Sequence, residues 1–224
     1  MKKTFITLLA LAGIASATTS ITLPGNSDYT WVAGSNASGI GKGASAEIVQ
    51  NLATAIGDDK VGWFAGTGQA YDANAYGSDI SIISSTSFSF KSRPGLSGEY
   101  VALGVTLKEA AESITLTFDT TGKLGYSLWS YDGTTATELV GLTYQGGAGD
   151  GIESTYNTAD IAAGSTIFAI WTANHPTSSE TGGQAITVSE IGLSYTAAPP
   201  VPEPATATLS LLALAGLAAR RRRK

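Results

Sequence analysis

The sequence predicts an all-β body: two antiparallel sheets packed face to face as a jelly-roll-like sandwich, with one short helix inside it and a hydrophobic helix at the C-terminus. Three observations carry this expectation. Apolar and polar residues alternate over most of the chain from Val61 onward, the period of a half-buried strand. The alternating runs are separated by glycine, proline, asparagine and aspartate, the residues of tight turns. No segment repeats at a fixed period, which argues against a propeller or a trefoil and for two stacked sheets.

The elements follow in order. Ile21 to Leu23 and Tyr29 to Ala33 read as short strands around a Pro24-Gly25-Asn26 turn. Gly34 to Gly43 is a Gly/Ser loop. Its Gly39, Gly41 and Gly43 complete no G-x-G-x-x-G, and Lys42 lacks the Ser/Thr that follows it in a phosphate-binding loop. Ala44 to Ile56 is the helix of the body, with Ser45 as its cap. Ile48, Val49, Leu52, Ala53 and Ile56 form one apolar stripe, and Gly57 stops it. A lone helix in a sheet protein is expected to plug an open end of the core.

Val61 to Ala65 is a short strand, followed by a loop from Gly66 to Gly77. Ile80, Ile82, Phe88 and Phe90 share a face of one long serine-rich strand or a broken pair. Val101, Leu103, Val105 and Leu107 alternate cleanly, as do Ile114, Leu116 and Phe118. Leu124, Tyr126 and Leu128 lie opposite Trp129 and Tyr131. Asp132-Gly133 is a hairpin turn, and Leu139 to Tyr144 returns. Gly146 to Gly151 reads as a loop. Thr166 to Trp171 is almost continuously apolar, so it is expected to be buried on both faces. Ile186 and Val188 share one phase, whereas Ile191, Leu193 and Tyr195 share the other. That slip at Ser189-Glu190 implies a bulge or a bend.

Charge and composition narrow the chemistry. Of the 13 basic residues, two lie at the N-terminus and five at the C-terminus; of the 18 acidic ones, only Glu203 lies in the C-terminal segment. The body therefore keeps six basic and 17 acidic residues, a net charge of −11. Such a surface repels nucleic acid and anionic lipid. Cysteine is absent, which excludes disulfides, a thiolate nucleophile and Cys-ligated zinc. His175, in the loop Ala173-Asn174-His175-Pro176, is the single histidine, and no G-x-S-x-G supplies a nucleophile elbow. Glu99, Glu112, Glu138, Glu153 and Glu190 are candidates for carboxylate-pair glycoside hydrolysis by type only, because no spacing singles out a pair.

No cofactor is called for. Calcium is the one ion whose oxygen ligands the loops offer, at Asp58-Asp59, at Asp72, Asn74 and Asp79, and at Asp150 with Glu153. None of these matches an EF-hand, and a solvated acidic loop is the commoner explanation. Aromatic faces stack on sugar C–H surfaces, so Trp63, Trp129 and Tyr131 are the candidate glycan-binding residues; the alternative is that they fill the core. Trp129 and Tyr131 lie opposite the apolar face of their strand and are expected to form an exposed platform. Trp171 is expected in the core.

Both ends of the chain carry addresses. Lys2 and Lys3 precede an apolar run from Phe5 to Ile14 and a small-x-small site at Ala15-Ser16-Ala17, the pattern of a signal peptide cut by signal peptidase after Ala17. The last residues run Val201-Pro202-Glu203-Pro204, then Ala205 to Ala219 without a charge, then Arg220, Arg221, Arg222, Arg223 and Lys224. The uncharged stretch makes a helix of roughly 22 Å at ~1.5 Å per residue, short against a bilayer core of about 30 Å. The basic block is expected to stay cytoplasmic.

This order of proline motif, short apolar helix and arginine cluster resembles the PEP-CTERM sorting signal of Gram-negative bacteria. The resemblance covers Val201 to Lys224 only. It implies recognition of Pro202, Glu203 and Pro204 by an exosortase, a membrane-embedded cysteine protease and transpeptidase, in hosts that often make exopolysaccharide or biofilm. The chain is then the substrate of that enzyme. The expected division is a signal peptide over 1–17, a β-sandwich over 18–196, a linker over 197–200 and the sorting signal over 201–224. The expected protein is an exported surface or matrix protein without catalysis, held transiently at the inner membrane and associated with exopolysaccharide or another glycan. A structural or adhesive coat protein is the first alternative, and a carboxylate-based glycosidase the second.

Overall fold

A computed structural model describes residues 17–25, 29–32, 46–55, 61–66, 80–91, 100–145, 149–172 and 185–199. Residues 17–198 form one compact unit. The expected C-terminal helix lies outside the described residues, among which no helix is long and apolar enough to cross a membrane.

Twelve strands and one helix make up the described elements: β1 (Thr18–Ser20), β2 (Thr30–Val32), α1 (Ala46–Ala55), β3 (Gly62–Gly66), β4 (Ser81–Ser84), β5 (Ser87–Lys91), β6 (Tyr100–Thr106), β7 (Ala111–Thr120), β8 (Leu124–Tyr131), β9 (Ala136–Gln145), β10 (Gly149–Ile161), β11 (Thr166–Thr172) and β12 (Ala185–Ala197). They form two six-stranded sheets. The first has the order β10-β7-β12-β5-β4, with β1 also on β12; the second is β2-β3-β6-β11-β8-β9. From β5 the chain crosses between sheets at nearly every step, as a jelly roll does. Pairing is antiparallel except between β2 and β3, which run parallel.

The core lies between the sheets and is largely aromatic. Trp171 of β11 stacks on Trp63 of β3 at 6.4 Å and meets Phe88 of β5 at 5.2 Å and Phe118 of β7 edge-on at 5.8 Å. Phe118 in turn meets Tyr126 of β8 at 5.0 Å. Tilted and edge-on pairs bring ring edges against ring faces and tie one sheet to the other.

The second sheet is buried on its outer face as well. Val32, Phe64, Tyr100, Ala102, Trp129, Phe168 and Ile170 form a second apolar cluster there, together with Val49 and Leu52 of α1. The helix therefore lies across a sheet face rather than plugging an end of the sandwich, because its stripe needs a broad apolar surface. Burial on both faces explains the unbroken apolar sequences of β6 and β11. The Tyr100 hydroxyl is enclosed there, donates to the Val32 carbonyl at 3.5 Å, and has its pKa pushed up by burial. Gly66 permits this approach: a Cβ on it would lie 2.6 Å from the Tyr100 hydroxyl.

The long strand β12 runs through the first sheet. Its first half pairs with β5 through Ala185 to Val188, its second half with β1 through Ser194 to Thr196, and both halves pair with β7 on the other side. The register on β7 shifts between Ser189 and Gly192, and Glu190 adopts a φ of 53°. This bulge falls at the phase slip of the sequence. It turns Ile186 and Val188 on one side, and Ile191, Leu193 and Tyr195 on the other, into the same core. At the C-terminal end the Ala198 N–H still donates to the Ala110 carbonyl at 2.8 Å.

The serine-rich run is the broken pair rather than one long strand, a hairpin with β4 and β5 joined at Ser85 and Thr86. One expectation here needs revision. The loop expected over Gly146 to Gly151 runs into β10, a strand with no clear apolar alternation at the edge of the first sheet.

The Asp132-Gly133 turn is a hairpin, as the sequence implies. Asp132 Oδ1 accepts from the backbone N–H of Thr135 at 2.7 Å, the backbone N–H of Thr134 at 2.8 Å and the Thr134 hydroxyl at 2.8 Å, and Gly133 takes a φ of 103°. The Thr135 and Thr134 amides, then the Thr134 hydroxyl, hold the Asp132 carboxyl below its ordinary pKa of 3.8.

Replacing Gly66 with alanine should cost about 1–3 kcal/mol of stability in urea denaturation, by driving a methyl group against the Tyr100 hydroxyl. Truncating Phe88 to alanine should cost about 3–5 kcal/mol. The depressed Asp132 carboxyl contributes stability that is present above its unfolded pKa and is lost as pH falls through its folded one. The difference in denaturation midpoint between wild type and Asp132→Asn should therefore hold steady at neutral pH and narrow below about pH 4. A difference that ignores pH would show that the charge of the carboxylate is not what the turn uses.

Candidate functional site

The three aromatic candidates part company. Trp63 points into the inter-sheet core and is 2% exposed. Trp129 does lie on the outer face of its sheet, yet it is 5% exposed. Its Nε1 donates to Ser127 Oγ at 3.1 Å within the cluster that includes α1. The expected platform is therefore not open at Trp129. Alternation correctly gives the face of the side chain, but Val49 and Leu52 of the helix join it there. Tyr131 keeps part of its surface in solvent at the border of the cluster, and its hydroxyl donates to the Gly133 carbonyl at 2.8 Å. Trp171 is in the core, as expected.

Several other candidates lie outside the described residues: Asp72, Asn74 and Asp79, His175, Ala15 of the leader, and Pro202, Glu203, Pro204, Arg220, Arg221, Arg222 and Arg223 of the tail. Among the described residues no cluster of three or more Asp, Glu or His could hold a metal ion. Glu138 stands on β9 of the second sheet, whereas Glu112 and Glu190 stand on β7 and β12 of the first, so Glu138 makes no pair with either within a sheet.

A groove of about 350 Å³ opens in the first sheet beside the β12 bulge. Its origin is local. Beyond Val188 the ladder to β5 ends, and β1 takes up the same edge of β12 only from Ser194 onward. Between them Ile191 N–H reaches the Thr86 carbonyl at 3.1 Å, and Ile21 N–H reaches the Leu193 carbonyl at 2.8 Å. The β4–β5 turn thus forms one wall and residues 20–23 the other, with Ile191 to Ser194 between them.

Six of the described residues that line the groove carry hydroxyls: Ser20, Thr22, Ser85, Thr86, Thr117 and Ser194. Ile21 and Leu23, half-buried against the inter-sheet core, border it with aliphatic surface, and no described lining residue is ionisable. Gly192 keeps it open beside β7: a Cβ there would stand 2.5 Å from Thr117 Oγ1. The Thr117 hydroxyl reaches the Gly192 carbonyl at only 3.5 Å, a long bond that leaves it free capacity. Sequence reasoning missed this groove. Its residues come from four separate stretches of Ser, Thr and aliphatic side chains, and its one sequence signal is the phase slip at Ser189-Glu190.

Comparison of the whole sequence with characterised proteins gives no match. Among solved structures, one described as "CBM4 structure and function" aligns at 13% identity over 60% of this chain and 86% of its own, with a TM-score of 0.41. A family 61 module in complex with β-1,4-galactotriose aligns at 15% identity over 48% and 63%, with a TM-score of 0.29. A family 29 carbohydrate-binding module complexed with cellulohexaose aligns at 10% identity over 53% and 75%, with a TM-score of 0.32. At the C-terminus the correspondence is one of sequence: residues 200–224 match the PEP-CTERM protein-sorting motif, so this is an exported protein with an exosortase as its processing partner and a transient membrane anchor.

Proposed function

We propose that this exported protein is a non-catalytic component of the cell surface or extracellular matrix whose β-sandwich associates with a polysaccharide. The observation that carries the address is the sorting motif over 200–224. Glycan association is supported by the open groove, whose described lining carries no charge and includes six hydroxyl side chains, since a hydroxyl both donates and accepts and so suits a polyol. Signal peptidase cleaves after Ala17 in this reading. In support, Thr18 opens β1, so that cut removes the leader and leaves the first strand whole. Residues 18–196 are then the working body and 197–200 the link to the sorting signal.

A coat protein without a small ligand is the second reading. The enclosure of Trp63 and Trp129 favours it, because it removes two of the three aromatic faces on which sugar could stack.

Replacing Pro202-Glu203-Pro204 with three alanines should leave unprocessed precursor in the inner membrane, detected by fractionation and the larger mass of the retained chain. Equal amounts of mature protein outside the cell from that mutant would sink the exosortase assignment.

A further inference from the structure

We infer that the groove beside the β12 bulge is a subsite for a single unit of an uncharged polysaccharide; this rests on the glycan-associated reading above and names its ligand class and place. The size fits, since small-molecule sites begin at roughly 300 Å³ and the groove is about 350 Å³. The chemistry fits as well. A neutral sugar carries hydroxyls around its rim and C–H groups on its faces. The groove offers Thr117 and Ser194 beside the strand floor and Ser20, Thr22 and Thr86 at its margins, with Ile21 and Leu23 as aliphatic surface.

Charge decides between classes of glycan. Among the described residues no Lys or Arg lines the groove to pair with a uronate, a sulfate or a phosphate. The body carries a net charge of −11, which repels a polyanion at long range and is indifferent to a neutral chain. Among the described residues the groove also has no aromatic stacking face. One subsite of this kind binds weakly, and useful retention comes from many copies meeting one polymer.

Two conformational facts hold the site in shape. The bulge at Ser189 to Gly192 is fixed by the core, because Ile191 and Leu193 are buried on the far side of the same strand. The two walls are tied to β12 by the Thr86 and Leu193 carbonyls. The hydroxyls are therefore placed before the ligand arrives, which lowers the ordering cost of binding.

The test uses the mature secreted protein in affinity electrophoresis through gels containing a neutral glucan, galactan, mannan or xylan, or the anionic alginate or polygalacturonate. Wild type should be retarded by at least one neutral polymer and by neither anionic one. Ser194→Leu, which fills the groove without adding a stacking face, should abolish the retardation. Thr117→Val, nearly isosteric, should weaken it about five-fold by removing one hydroxyl. Val61→Ala, at an exposed position just before β3 of the second sheet, should leave it unchanged. Circular dichroism melts check that each variant is folded, and Thr117→Val keeps the test valid if Ser194→Leu is not. Retardation by a neutral polymer that both groove variants retain would overturn the groove while keeping the glycan reading. Retardation only by an anionic polymer would overturn the ligand class. No retardation by any polymer would overturn the glycan reading itself and leave the coat reading.

Discussion

The first sheet depends on one extra residue in β12. A regular strand alternates its faces strictly, so a 13-residue β12 with apolar residues at 186 and 188 and again at 191, 193 and 195 would put one set in water. The bulge between Ser189 and Gly192 absorbs the odd step, at the cost of a left-handed conformation at Glu190. Both halves then face the core, and the strand changes partner from β5 to β1 across the same break. The groove is the outward side of that solution. A demand of the core has opened a groove at the surface.

The second sheet solves a different problem. Its middle strands are apolar on both faces, so it needs cover on two sides. The first sheet supplies one cover and α1 contributes to the other. Within the core, Trp63 and Trp171 bury indole N–H groups that meet no acceptor among the described residues. Each such group costs about 1–3 kcal/mol, a burden the aromatic packing between the sheets must offset. The packing of the two indoles against Phe88 is thus a stronger determinant of this core than their polar chemistry.

Much of this was legible in the residues, for identifiable reasons. The almost continuous apolar run from Thr166 to Trp171, the phase slip at Ser189-Glu190 and the Asp132-Gly133 turn are local patterns, and local patterns survive folding. The sorting signal is legible for the same reason, since an enzyme reads it as a linear sequence. β10 was missed because an edge strand need not alternate clearly between apolar and polar. The covering of Trp129 was missed because alternation says which way a side chain points and says nothing of what lies above it. The groove was illegible because its hydroxyls are ordinary surface residues until β12 gathers residues 20–23, 85–86 and 117 around itself.

The place of β12 in the chain has a consequence for export. It is the last of the described strands, yet it sits inside its sheet, between β7 and β5. Its neighbour on the other half is β1, the first strand, with Thr18 opposite Thr196. A chain that crosses a membrane from its N-terminus delivers β1, β5 and β7 long before the strand that joins them. Until β12 arrives, those three have bare edges toward an empty slot, and their apolar faces lack their final neighbour. The sheet is closed by the segment that leads into the sorting signal, so in a chain exported from its N-terminus the first sheet can be complete only once nearly the whole body has crossed.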